Sequence, residues 1–419
     1  MESIVKTKES ETIMDSYADN IETLKIKKKP HYFAIIAVIL IVCLVVGYIY
    51  VNRTCKDYVV EKKLDREDET AMEYLSFQNG FIKYNVDGIS YENEQGHIVW
   101  TEAFTMTQPR VVTKGEYVAV ANIGNNEYNL YNASKKIGSF TTKYPISDIQ
   151  IAKQGLVAVT LEDEKENYIM AFDKEGKKCV EIKTTINKNG YPFAIALSED
   201  GTKLAASYVT IQGTQVESSL TFYNFGNVGK NEVDRQVGYK KFTNQLIPRI
   251  EFVNNDTVAA FGDKRIILYA MKQKPKELMN RKVKHEIKSI LYNSKYIGYV
   301  YNDDSLPKNA KSDNSIKKTT ENAGSLEEGG ESQYILEVFN LKGRAILNQT
   351  IDFNYTNIHS TPKEIIVVSG NKCQIIKYNG FIKYNGGFNK EVVNEFFPTT
   401  RNNQYILITD KNTEKIRIK

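Results

Sequence analysis

Two textures of apolar and polar positions divide the chain. From His31 to Val51 (HYFAIIAVILIVCLVVGYIYV) no Asp, Glu, Lys or Arg occurs. A helix rises about 1.5 Å per residue, so a run of this length covers the ~30 Å hydrocarbon layer while satisfying its own backbone hydrogen bonds. It predicts one membrane-spanning helix over residues 31–51. Tyr32, Tyr48 and Tyr50 fall where its ends would meet the headgroups, a favoured place for an aromatic ring with a polar tip. From Asp57 onward the pattern shifts to short alternating segments that end in Gly, Asn or Asp, with no long amphipathic helix. That alternation predicts an all-β domain.

The strands recur in one order. In the second unit Arg110-Val111-Val112 precedes Tyr117-Val118-Ala119-Val120-Ala121, then Tyr128-Asn129-Leu130-Tyr131-Asn132, then Ile137-Gly138-Ser139-Phe140. The third repeats it at Asp148–Ile151, Leu156–Val159, Tyr168–Phe172 and Cys179–Ile182. In the fourth, Phe193–Leu197 leads through Ser198-Glu199-Asp200-Gly201 into Leu204–Ser207, and Asp-Gly suits a turn that needs positive φ. A medium first strand, a strongly apolar second, a third ending in an aromatic and a polar fourth make a four-stranded blade. Further units start near Arg249, Ser289 and Thr356.

The last unit, Glu395–Phe397, Tyr405–Ile408 and Lys415–Ile418, supplies only three strands. Asp57-Tyr58-Val59-Val60-Glu61 can supply the fourth, closing a ring and removing a sheet edge open to aggregation. With a first unit from Tyr74 to Trp100 this predicts an eight-bladed β-propeller, with seven blades as the alternative. A β-sandwich would also alternate, but does not predict the four-strand order.

Three segments follow: a head over 1–30, the span over 31–51, and the propeller over 52–419. The head, rich in acidic residues, Ser and Thr, has too little apolar material to fold alone. Lys25, Lys27, Lys28 and Lys29 precede the span, whereas Arg53 and Lys56 after it are diluted by Asp57 and Glu61. Positive-inside logic then puts the head in the cytoplasm and the propeller outside, and the segment's Tyr-Ile-Tyr-Val end, without small residues, reads as an uncleaved signal-anchor. The partner it implies is the lipid bilayer. A polar insertion, 303–333, interrupts the sixth unit and is expected to be a flexible excursion.

Charge and chemistry narrow the classes. The net charge of +5 is spread along the chain without a basic stripe, which argues against nucleic acid. Cys43 lies in the span, and Cys55, Cys179 and Cys373 show no metal spacing or disulfide framework; a Cys179–Cys373 bridge stays open. His31, His97, His285 and His359 stand apart, and Gly226–Lys230 lacks the P-loop spacing. The acidic pairs Asp303-Asp304 and Glu327-Glu328 sit in the polar insertion, where nothing holds them at a fixed separation. No catalytic, cofactor-binding or metal-binding residue is therefore assigned, and the sequence leaves the ligand-binding residues unknown. The repeated GFIKYN at Gly80–Asn85 and Gly380–Asn385 falls on different strands of its two blades, and the 27 tyrosines read mainly as strand residues.

The first unit, from Phe81 through Asp87-Gly88 and Gly96 to Trp100, resembles a blade of the quinoprotein-like (PQQ-like) propellers, and later units resemble WD40-like blades more generally. The whole arrangement is similar to an uncharacterised family of bacterial membrane-anchored propellers. The resemblance implies a fold and a location, without an activity. In quinoprotein-like propellers a repeated Trp packs between blades; here Trp100 is the only one, so quinone binding is not implied. The expected function is a non-enzymatic, membrane-tethered scaffold for a protein or cell-envelope ligand. The alternatives are an envelope hydrolase or other enzyme with a central-channel site, favoured by carboxylates or His converging on the inner strands, and a single-pass sensor.

Overall fold

The computed structural model describes residues 32–66, 71–302, 334–388 and 391–419. The expected head and the insertion at 303–333, with its acidic pairs, lie outside the described residues. The chain divides into two units, Met1–Arg53 and Thr54–Lys419.

In the first unit Tyr32–Val51 forms one helix, whose side chains from 35 to 50 are exposed. Asn52 Nδ2 donates to the Tyr48 carbonyl at 3.0 Å and closes its last turn. Among the described residues no helix is long and apolar enough to cross a membrane, so the span expected over residues 31–51 is not shown.

The second unit is an eight-bladed β-propeller: eight sheets of four strands each, every sheet antiparallel between neighbours. The first strands are Glu73–Phe77, Pro109–Lys114, Ile146–Ile151, Tyr191–Leu197, Arg249–Asn254, Ile287–Tyr292, Asn357–Ser360 and Val393–Pro398. They form the inner wall, and several touch the next one round the ring. The second strands are the most apolar because both of their faces are buried. In blade 2, Tyr117–Asn122, Val118 and Val120 pack toward blade 1 while Ala119 and Ala121 pack toward blade 3. This period of two is repeated round the ring, giving one apolar cluster between each pair of neighbouring blades.

Closure follows the expected route. Tyr58–Asp65 pairs with Asn412–Ile418 as the outer strand of blade 8, with Val59 opposite Arg417. Just before it, the Cys55 amide donates to the Lys383 carbonyl at 2.8 Å and its carbonyl accepts from the Asn385 amide at 3.1 Å. The entering chain thus runs parallel to the outer strand of blade 7. A Cβ on Gly386 would stand 2.9 Å from the Lys56 carbonyl, so glycine permits that approach.

Asparagine and aspartate end the third strands because their side chains build the next turn. Asn132 Oδ1 accepts from the amides of Ser134 and Lys135, Asp173 Oδ1 from Glu175 and Lys177, and Asn340 Oδ1 from Lys342 and Arg344. The Asp-Gly turn of blade 4 has its expected geometry, with Gly201 at φ 66°. Trp100 stacks on Tyr131 of blade 2, centroids 4.7 Å apart, and its Nε1 donates to the Asn132 carbonyl at 3.0 Å. The single tryptophan does pack between two blades. One GFIKYN copy forms the second strand of blade 1 and the other enters the outer strand of blade 7.

Candidate functional site

Alternation along the inner strands turns every second side chain toward the axis. At the start of these strands several such positions are charged: Glu73, Arg110, Asp148, Arg249, Glu251, His359 and Glu395. A cavity of about 560 Å³ is lined by Glu73, Tyr84, Arg110, Lys114, Gln150, Arg249, Glu251 and Tyr292, with apolar walls from Leu75, Val112, Ile151, Leu197 and Phe252. The lining comes from six blades.

Two arginine–acid pairs dominate it. Arg110 Nε stands 3.1 Å from Asp148 Oδ1 across blades 2 and 3. Asp148 is also fixed by the Ile149 amide at 2.9 Å and by the Ile195 amide of blade 4 at 3.2 Å. Arg249 Nε stands 2.6 Å from Glu251 Oε1, and its Nη2 donates to the Tyr292 hydroxyl at 3.1 Å. Burial pushes Asp148 and Glu251 above the usual carboxylate range, and Arg110 and Arg249 oppose that shift. Burial, aided by the Glu251 charge, pushes the Tyr292 hydroxyl up to about 12.

Glu73 forms the shared wall with a second cavity of about 610 Å³, lined by Arg66, Asn357, Glu395 and Asp410 among others. The Tyr84 hydroxyl donates to Glu73 Oε2. Beside the second cavity His359 Nε2 lies 2.6 Å from Glu395 Oε2, and Asn357 Nδ2 donates to Glu395 Oε1 at 2.8 Å.

The residues singled out in the sequence scatter. His31 lies outside the described residues, His97 is exposed, His285 stacks on Tyr301 with centroids 5.0 Å apart, and among the described histidines only His359 joins the inner wall, where it has a carboxylate partner. Cys179 is exposed, Cys373 is buried and all described cysteines are free, so the Cys179–Cys373 bridge is not formed. Burial raises the Cys373 thiol far above its usual range. Gly226–Lys230 lies in the connection before the outer strand of blade 4. Among the described residues no group of three or more His, Cys, Asp or Glu is placed to hold a metal ion. The inner-wall cluster escaped sequence reading because its members come from different blades. The signal that could have found it is a charged residue or His within the first three positions of the first strand, present in every blade but the fourth.

A family of unknown function, DUF5711, matches residues 51–418. The chain belongs to that family. No curated protein matches the sequence. Among solved structures, BamB from Moraxella catarrhalis is similar at 11% identity and a TM-score of 0.46, covering 86% of this chain and 100% of that one. The Neurospora crassa Pan2 WD40 domain is similar at 11% identity and 0.41, covering 74% and 88%. Kluyveromyces lactis Hsv2p is similar at 10% and 0.44, covering 80% and 98%. At these values the likenesses decide nothing about ligand or activity. For DUF5711 the propeller rests on the strand pairing of the chain itself.

Proposed function

We propose that this DUF5711 protein is a non-enzymatic, single-pass membrane-tethered propeller that holds a protein or cell-envelope ligand outside the cell. The uncharged Tyr32–Val51 helix, preceded by Lys25 to Lys29, supports the tether and its orientation. The observation that carries the binding role is the closed ring, in which the strand entering from residue 54 completes the last blade and leaves a rigid eight-sided support. Loops on such a support suit recognition because the framework fixes their positions. The test is proximity crosslinking in the native cell with the full-length protein and with a control lacking residues 54–419. Capture of a protein or wall component that depends on the ring supports the scaffold; equal capture by the control sinks it.

A second reading, an enzyme using the channel, is favoured by the convergence of Asp148, Glu251 and the His359–Glu395 pair on the inner wall. Against it, each of these groups is already engaged by a neighbour. Asp148→Asn and Glu251→Gln, each shown by melting to be folded, separate the two readings: an enzyme loses its cellular phenotype with ligand capture intact, whereas a scaffold loses neither.

A further inference from the structure

The channel cavity presents hydrogen-bond donors that have nothing to donate to. Asp148 and Glu251 are each only 12% exposed, while their partners Arg110 and Arg249 are 39% and 40% exposed. Each acid is ion-paired against the Nε side of its arginine, Asp148 outside the cavity lining and Glu251 within it, and neither Nε makes a hydrogen bond among the described residues. Among the described residues neither Nη of Arg110 makes a hydrogen bond, and Nη1 of Arg249 makes none, its Nη2 being taken by Tyr292. The Gln150 side chain lines the same cavity and has no protein partner among the described residues. Lys114 is drawn to Glu199 at 3.9 Å, and Glu73 to the Tyr84 hydroxyl. The free polar edges are thus mainly donors, aimed from blades 2, 3 and 5 into about 560 Å³, within the usual size of a small-molecule site.

We propose that the channel binds a small ligand carrying an oxyanion group, carboxylate or phosphate, gripped between the free Nη edges of Arg110 and Arg249 with Gln150 donating alongside. A planar guanidinium drawn to a buried acid by an ion pair has its position biased before the ligand arrives, and its outer edge matches the paired oxygens of either anion. The anionic end belongs at the arginines and away from Glu73, with the lining Glu251 offset by its ion pair to Arg249; apolar atoms of the ligand would face Val112, Ile151 and Phe252. This site stands or falls independently of what the outer surface of the ring recognises.

The test is calorimetric titration of the full-length protein in detergent at low salt, with citrate and inorganic phosphate as separate probes. Saturable binding of either is expected. The double variants Arg110→Gln/Asp148→Asn and Arg249→Gln/Glu251→Gln remove each charge together with its partner, so that no buried ion is left unpaired. Each is expected to weaken binding at least about tenfold, what losing a charge-assisted hydrogen bond costs. Gln150→Ala, which disturbs no ion pair, is expected to weaken it by about threefold. Absence of saturable binding by both probes overturns the proposal, as does unchanged affinity in a double variant whose melting shows it folded. If neither double variant folds, Gln150→Ala decides, and unchanged affinity there overturns it.

Discussion

The Lys419 amide donates to the carbonyl of Asp57 at 3.0 Å, so the last residue of the chain is bonded to the residue that opens the ring. Every other blade is built from consecutive strands, and only blade 8 joins segments from both ends of the propeller. The seam is therefore the place where the ring can open.

Locking that seam should stabilise the whole ring. Val59 and Arg417 lie opposite each other, and Val59→Cys with Arg417→Cys places two thiols on directly paired positions. The expected disulfide closes nearly the whole domain and adds about 2–4 kcal/mol. Thermal unfolding with and without reductant measures it, each single variant serving as control. No crosslink under oxidation would contradict the pairing.

A buried ion pair within blade 7 clips blade 8 through the Tyr405 hydroxyl. Glu364 meets Lys383 Nζ at 2.8 Å and accepts from the Tyr405 hydroxyl of blade 8 at 2.5 Å, with the Lys383 and Glu364 side chains only 15% and 8% exposed. Lys383→Met strips the carboxylate of its cation and should cost about 3–5 kcal/mol. Adding Glu364→Gln should recover much of that loss, since no buried charge then remains. Urea unfolding of the three proteins checks the order; a double variant no better than the single would refute it.

The blade 4 turn should govern the acid limb of stability. Partial burial pushes the Asp200 carboxyl up, but hydrogen bonds from the Thr202 amide, Ser198 Oγ, Asn255 Nδ2 and Thr202 Oγ1 outweigh it and bring the pKa down to about 2. A carboxyl lowered on folding contributes stability in full above its unfolded value of about 4, and that contribution is lost as pH falls toward 2. Wild type should therefore exceed Asp200→Asn at pH 7, and the gap should shrink between pH 4 and pH 2. The exposed half of this turn keeps the effect modest. A gap that stays constant to pH 2 would show that the charge does nothing.

Orientation has its own thiol probe. Cys179 is exposed on the outer strand of blade 3, whereas Cys373 is buried. A membrane-impermeant maleimide should label Cys179 in intact cells, and Cys179→Ser should abolish most of the signal. Labelling that needs lysis would place the ring inside the cell.

Most of the fold was legible because blades are local. The second strands Tyr117–Asn122 and Val157–Glu162 are apolar on both faces, Asn and Asp mark the ends of third strands, and Asp200-Gly201 marks a turn; each is written within a few residues. Even the seam could be read, since three strands at the end left one to be found after Asp57. The outer strand of blade 7 was harder: Ile382–Gly387 is mostly polar, overlaps a copy of GFIKYN and contains two glycines. Its role depends on Cys55 and Lys56, far away in sequence, which lie against it.

The sequence by itself determined the apolar helix, the all-β texture, the four-strand order and the pairing of the two ends, because periodicity and turn chemistry act over short spans. Tertiary structure alone decided the inner wall. Arg110 and Asp148 belong to neighbouring blades, Arg249 comes from a third, and His359 finds Glu395 in the next blade round. Their meeting depends on how blades are arranged about an axis, a long-range packing result that no local spacing encodes. The same packing buries Asp148 and Glu251 and leaves the outer edges of Arg110 and Arg249 open, and burial is what separates a solvated charge from a site.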